Sequence, residues 1–134
     1  MAALHSLRHY IDIVSGLFEA KQKQRDDSPW GVSYTPLFAP SLLHHQKKFR
    51  DLSDKVEKFI DLKTPNPMAN KYGKHDSPFT GPLVGFFHTH LRDDAILIYN
   101  LQNRCVNLIM IVNHAEIEGK FAKRTAAKID PFRS

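Results

Sequence analysis

The chain has 134 residues, 42% of them hydrophobic and 25% charged, the size and balance of one globular domain with a single core rather than of a disordered or fibrous chain. Nineteen Lys and Arg against fourteen Asp and Glu leave a net charge of +5, which suits contact with polyanions without demanding it. The single cysteine, Cys105, excludes an internal disulfide and a cysteine-based zinc cluster, and no run reaches the roughly eighteen apolar residues of a membrane span. With no signal-peptide core near the first residue, a cytoplasmic location is expected.

Leu4, Leu7, Ile11, Val14 and Phe18 recur at steps of three and four, which makes one apolar stripe on a helix running to about Lys23. Asp26-Asp27-Ser28-Pro29 stops it, so residues 1–27 read as an appended helix on a core of residues 30–134, together one domain. Val32–Phe38 has strand-forming residues, but Pro36 confines it to an edge. From Ser41 the stripe Leu42, Phe49, Leu52, Val56, Phe59 and Ile60 is helical again; Asp51–Asp54 divides it, with Asp54 and Glu57 placed to form a capping box. Residues 64–78 carry too much Pro, Asn and Gly for regular structure and form a loop bearing Lys71, Tyr72, Lys74 and His75.

Three strands follow in succession, Leu83–His90, Ala95–Leu101 and Val106–Val112, joined by short turns. They predict an antiparallel meander. Ala115–Lys128 then reads as a helix ending near Asp130-Pro131. The order is that of an α+β fold, with helices gathered on one side of a small antiparallel sheet, namely the C-terminal meander plus the N-terminal edge strand.

The chemistry gathers at strand ends. His90 and Asp94 flank the first hairpin turn and His114 lies just past the third strand, which in a meander runs parallel to the first. Two imidazoles and a carboxylate in one pocket supply a general base, a general acid and an orienting partner near neutral pH. Cleavage of RNA needs that set: a base takes the 2′-hydroxyl proton, the oxygen attacks phosphorus, and an acid protonates the leaving 5′-oxygen. Lys71, Lys74, Arg92, Lys120 and Lys123 are candidates to stabilise the phosphoryl charge. His88 shares a strand face with His90 and joins the catalytic candidates; the pair would also suit a metal site with His114 or Asp94, but it lacks a defined third-ligand spacing, and neither metal nor cofactor is expected. Tyr99 lies on an apolar strand, where core packing competes with substrate contact.

The run Gly81-x3-Gly85-x4-His90-x3-Asp94-x-Ile-Leu-Ile-Tyr99, followed by a strand and Asn-His114-Ala, resembles the core of the YafQ branch of the RelE/ParE toxin superfamily. His88-Thr-His90-Leu91 and the basic helix after His114 are similar to YafO-type toxins. The resemblance covers about a third of the chain. It implies a RelE-like fold and a type II toxin that cuts messenger RNA in the ribosomal A site and is neutralised by a cognate antitoxin. His90, Asp94 and His114 match family catalytic positions, with His114 the general acid. Ser77 stands where the family has a histidine before the loop proline, with His75 two positions earlier; Phe87 replaces a basic residue; Glu118 replaces an aromatic, with Phe121 the nearest substitute for base stacking. Two other classes stay open: a gyrase-inhibiting toxin of the ParE kind, and a non-catalytic RNA- or ribosome-binding domain using Tyr72, Phe86, Phe87 and Tyr99.

Overall fold

The computed structural model describes residues 30–133, so the helix expected over residues 1–27 lies outside the described residues. A five-stranded sheet forms the centre. Its strands are β1 (Gly31–Tyr34), β2 (Ser77–Pro78), β3 (Phe87–Arg92), β4 (Ala95–Gln102) and β5 (Cys105–Val112), in the order β1-β5-β4-β3-β2. The meander β3-β4-β5 is antiparallel, and β1 takes an edge but is shorter than the expected Val32–Phe38: it ends at Tyr34, ahead of Pro36, and Phe38 already starts a helix; it pairs parallel to β5, with Val32 opposite Val106. The sheet is therefore mixed, because the chain crosses from β1 to β2 through two helices before returning.

The helices are α1 (Phe38–Gln46), α2 (Leu52–Lys63) and α3 (Gly119–Ile129). They do not share one side of the sheet. Leu42, Leu52, Val56, Phe59 and Ile60 of α1 and α2 pack with Leu97, Tyr99 and Leu108 on one face. Ala122 and Ile129 of α3 pack with Phe86, Ile96, Ile98 and Met110 on the other. Strand β4 is buried along both faces, Ala95 to Asn100 without interruption, which is what a central strand between two helical layers requires. The capping box expected from Asp54 and Glu57 is not used: α2 begins one turn earlier, with Asp51 at its N-cap and no side-chain cap bond.

The β4–β5 register shifts because Ile98 faces Met110 while Tyr99 faces Leu108, leaving Ile109 as the extra residue of a bulge. Ile109 and Met110 consequently share a face. The bulge frees ladder groups that hydroxyls recover: Thr35 Oγ1 donates to the Ile109 carbonyl at 2.6 Å, and Ser41 Oγ accepts from the Ile111 N–H at 2.9 Å. These bonds fasten the entry into α1 to β5.

The first strand of the meander starts later than its hydrophobic pattern suggests. Residues Gly81–Leu83 form a 3-10 turn, and Gly85 adopts φ +99°, where a Cβ would come within 3.3 Å of Arg133 Nη1. Arg133 reaches across to donate to the Val84 carbonyl and to the Pro82 carbonyl at 3.2 Å, so the end of the chain clamps this turn. Glycine at 85 allows both the left-handed backbone and the approach of the guanidinium.

Candidate active site

Asp94 ends the β3–β4 turn, and Ile96 of β4 pairs with Val112 of β5. The residues that follow β5 are thereby delivered beside that turn. Asn113 caps the 3-10 turn His114–Ile117: its side chain accepts from the Glu116 N–H at 3.0 Å while Glu116 accepts from the Asn113 N–H at 3.1 Å. This reciprocal cap fixes the backbone of His114. One carboxylate oxygen, Asp94 Oδ1, accepts both from the His114 backbone N–H at 2.8 Å and from ring Nδ1 at 3.0 Å.

Those bonds, the backbone one foremost, hold the Asp94 carboxyl below its ordinary range. It is ionised near neutral pH and can only accept, so Nδ1 of His114 carries a hydrogen and Nε2 is the nitrogen free to act. The His90 ring lies edge-on to His114, with centroids 5.0 Å apart, and His75 stacks on His90 at 4.7 Å. Burial, then the like charges that His75, His114 and His88 would carry, push His90 below the usual imidazole value. The result is a row of three imidazoles with a carboxylate at one end.

The row opens into a cleft of about 720 Å³ lined by Lys55, Lys74, His75, His90, Leu91, Arg92, Asp93 and His114. Arg92 also pairs with Asp51 at 3.2 Å and lies over the Phe49 ring. Lys55 is not among the residues the sequence singled out. Only the packing of α2 beside β3 turns that lysine toward the histidines.

Other candidates sit elsewhere. His88 does not line the cleft; it stacks on Phe79 at 4.3 Å, its centroid is 6.3 Å from that of His90, and burial pushes its pKa down. Tyr99 is no surface contact: it is 1% exposed, stacks with Phe87 and bonds Asp76 through its hydroxyl. An apolar strand covered on both faces leaves its aromatic nowhere else to go. Lys71 is exposed on the loop outside the cleft lining. Lys120, Phe121 and Lys123 lie on α3, also outside it; Phe121 is 44% exposed, with Lys120 and Arg124 over its ring at 5.6 and 5.4 Å. Among the described residues, no group of three or more His, Cys, Asp or Glu is arranged to hold a metal ion.

No protein-family model matches the chain, and no curated protein matches it in sequence. Solved structures do match. YafQ from E. coli superposes with a TM-score of 0.57 at 22% identity, covering 67% of this chain and 99% of that one. The E. coli DinJ–YafQ toxin–antitoxin complex gives 0.53 at 23% identity, over 68% of this chain and 99% of its match. The YoeB–YefM complex from Staphylococcus aureus gives 0.53 at 13% identity, over 63% and 97%. The chain has the RelE-like fold of the YafQ and YoeB toxins. Both are covered almost end to end, so the third of this chain left over is additional to that fold. No helix among the described residues is long and apolar enough to cross a membrane.

Proposed function

We propose that this protein is the toxin of a type II toxin–antitoxin pair and that its imidazole-lined cleft cuts messenger RNA on the ribosome. The observation that carries this is the row His75–His90–His114 ending on Asp94, set among Lys55, Lys74 and Arg92. A protein that only binds has no use for a carboxylate-oriented imidazole beside a second imidazole held toward its neutral form, whereas transfer to a 2′-oxygen requires that pair.

The roles follow from the environments. His90, kept neutral by burial and like-charged neighbours, takes the proton from the 2′-hydroxyl. The oxygen attacks phosphorus, the bond to the 5′-oxygen breaks, and His114 Nε2 delivers the proton to that leaving group while Asp94 balances the imidazolium. Products are a 2′,3′-cyclic phosphate and a free 5′-hydroxyl. Lys74, Lys55 and Arg92 stabilise the extra negative charge on the phosphoryl oxygens. With no base-stacking aromatic in the cleft lining, the ribosome supplies the presentation of the codon.

A cognate antitoxin is the protein partner, by the analogy that YafQ and YoeB crystallise with DinJ and YefM. Charge complementarity to the basic cleft and coupled folding of the partner would neutralise it. The deciding experiment is induced expression of wild type and His114→Ala in bacterial cells, with growth followed and new 5′ ends on messenger RNA mapped by primer extension. Arrest with cuts inside translated codons, both lost in the variant, is the expected result. Arrest undiminished by the variant and without cleavage would transfer the protein to the gyrase-inhibitor class.

A further inference from the structure

His75 comes from a loop with no regular structure between α2 and β2, yet its ring is held flat against His90. Something must offset the loop's conformational freedom. The next residue, Asp76, is 4% exposed and gathers three donors from three parts of the fold. Lys63 Nζ, at the end of α2, donates to Oδ2 at 2.8 Å; the Tyr72 N–H, within the loop, donates to the same oxygen at 2.8 Å; and the Tyr99 hydroxyl, from β4, donates to Oδ1. Lys63 also donates to the Asn70 carbonyl at 2.7 Å, and Thr89 Oγ1 of β3 donates to the Tyr72 carbonyl at 2.9 Å. The loop is thus tied at positions 70, 72 and 76. On the far side of His75, Ser77 pairs with His88 in the sheet.

The lysine and carboxylate side chains are 3% and 2% exposed, with Lys63 lying over the rings of Phe59 and Tyr99. A buried ion pair of this kind adds little stability over apolar residues of the same volume, while breaking it is costly. Stability alone is a poor account of it. We propose that the buried Lys63–Asp76–Tyr99 network exists to hold His75 against His90, which makes Asp76 a positioning residue for the imidazole row. The meaning of that row rests on the ribonuclease reading above, but the positioning itself is a geometric claim that needs no turnover to test.

The experiment is NMR of the full chain labelled on histidine, reading two signals: the cross-peaks between the His75 and His90 rings, and the titration midpoint of His90. Asp76→Asn removes the charge that draws Lys63, and Tyr99→Phe removes one donor while leaving the ion pair; Leu42→Ala, in the core under α1, loosens the fold away from the loop. Expected is loss of the cross-peaks in Asp76→Asn, with the His90 midpoint rising as its like-charged neighbour departs, a smaller rise in Tyr99→Phe, and no movement in Leu42→Ala despite its lower melting temperature. If Asp76→Asn does not fold, Tyr99→Phe decides on the same signals. Retention of cross-peaks and midpoint in the folded variants overturns the proposal, and so does an equal change in Leu42→Ala. A wild-type chain that shows the expected contacts but cleaves no RNA would instead count against the ribonuclease reading alone.

Discussion

Asp94→Asn isolates the charge behind the proposed general acid. The amide oxygen of Asn can take over both bonds now made to Oδ1, at 2.8 Å from the His114 N–H and 3.0 Å from ring Nδ1, so the ring stays in place and only the negative charge is lost. A hydrogen bond to a charged acceptor contributes about 1.5–3 kcal/mol against about 0.5–1.5 kcal/mol for a neutral one. The two side chains are 45% and 41% exposed, so solvent screens much of that difference. About 1 kcal/mol remains in favour of the imidazolium, which corresponds to a five- to tenfold slower proton delivery. His114→Ala removes the donor itself and should cost roughly 10²–10⁴. The assay is cleavage on programmed ribosomes of a codon whose scissile linkage carries either the natural 5′-oxygen or a bridging 5′-sulfur. Sulfur leaves without being protonated, so Asp94→Asn and His114→Ala should approach the wild-type rate on the sulfur substrate while His90→Ala stays slow on both. Equal losses of His114→Ala on oxygen and sulfur, or rescue of His90→Ala by sulfur, would refute the assignment of acid and base.

The proposed base, His90, has a pKa below the ordinary value, so the acid limb of the proposed cleavage rate should fall below pH ~6.5; His75→Gln, which removes a like charge, should move that limb upward in a pH–rate profile. The depressed values of His45, His88 and His90 mean that the unfolded chain binds more protons than the folded one below pH ~6.5. Stability should therefore rise with pH through that window, and thermal melts between pH 5 and 7.5 that show a flat midpoint would contradict it. Gly85→Ala combines φ +99° with a Cβ 3.3 Å from Arg133 Nη1 and should destabilise by roughly 1–3 kcal/mol in urea unfolding, whereas Gly73→Ala, with nothing within 4 Å of its Cβ, bears the backbone strain alone and should cost less. Lys55→Ala, on the wall of the cleft, should slow cleavage about tenfold or more while leaving the melting temperature within a degree or two.

The meander with its short turns and the division of the second helical segment were legible because each rests on local chemistry. Apolar runs of strand length and a polar break need no tertiary information. Convergence of His90, Asp94 and His114 was permitted by the sequence, since the strands of a meander can return to the same end, and the Asp94–His114 bonds and the His90–His114 ring contact bring the three together. What was hidden depends on contacts between distant residues. The parallel pairing of β1 follows from a crossover, and α3 packs on the opposite face against Phe86, Ile96, Ile98, Ile109 and Met110, which come from three strands or their approaches. The turn at Gly81–Gly85 passed for strand because Leu83, Val84 and Phe86 suit one, and only Arg133 from the chain's other end explains the break. Tyr99 was ambiguous for the same reason: an aromatic on an apolar strand becomes core only when the second face is covered.

Asp94 and Asp76 do opposite work, and burial decides which. Asp94 is half exposed and spends a single oxygen on His114, whose Nε2 it leaves unbound. Asp76 is closed off from water and spends both oxygens on Lys63, the Tyr72 N–H and the Tyr99 hydroxyl. A carboxylate with Asp94's exposure is a weak tie for a loop, because water competes for each bond, whereas the burial of Asp76 removes that competition. The row consequently has a direction, from the fixed His75 end to the proton-carrying His114 end. Under the ribonuclease proposal, a phosphodiester lying along it would meet the proposed base and the proposed acid in a set order.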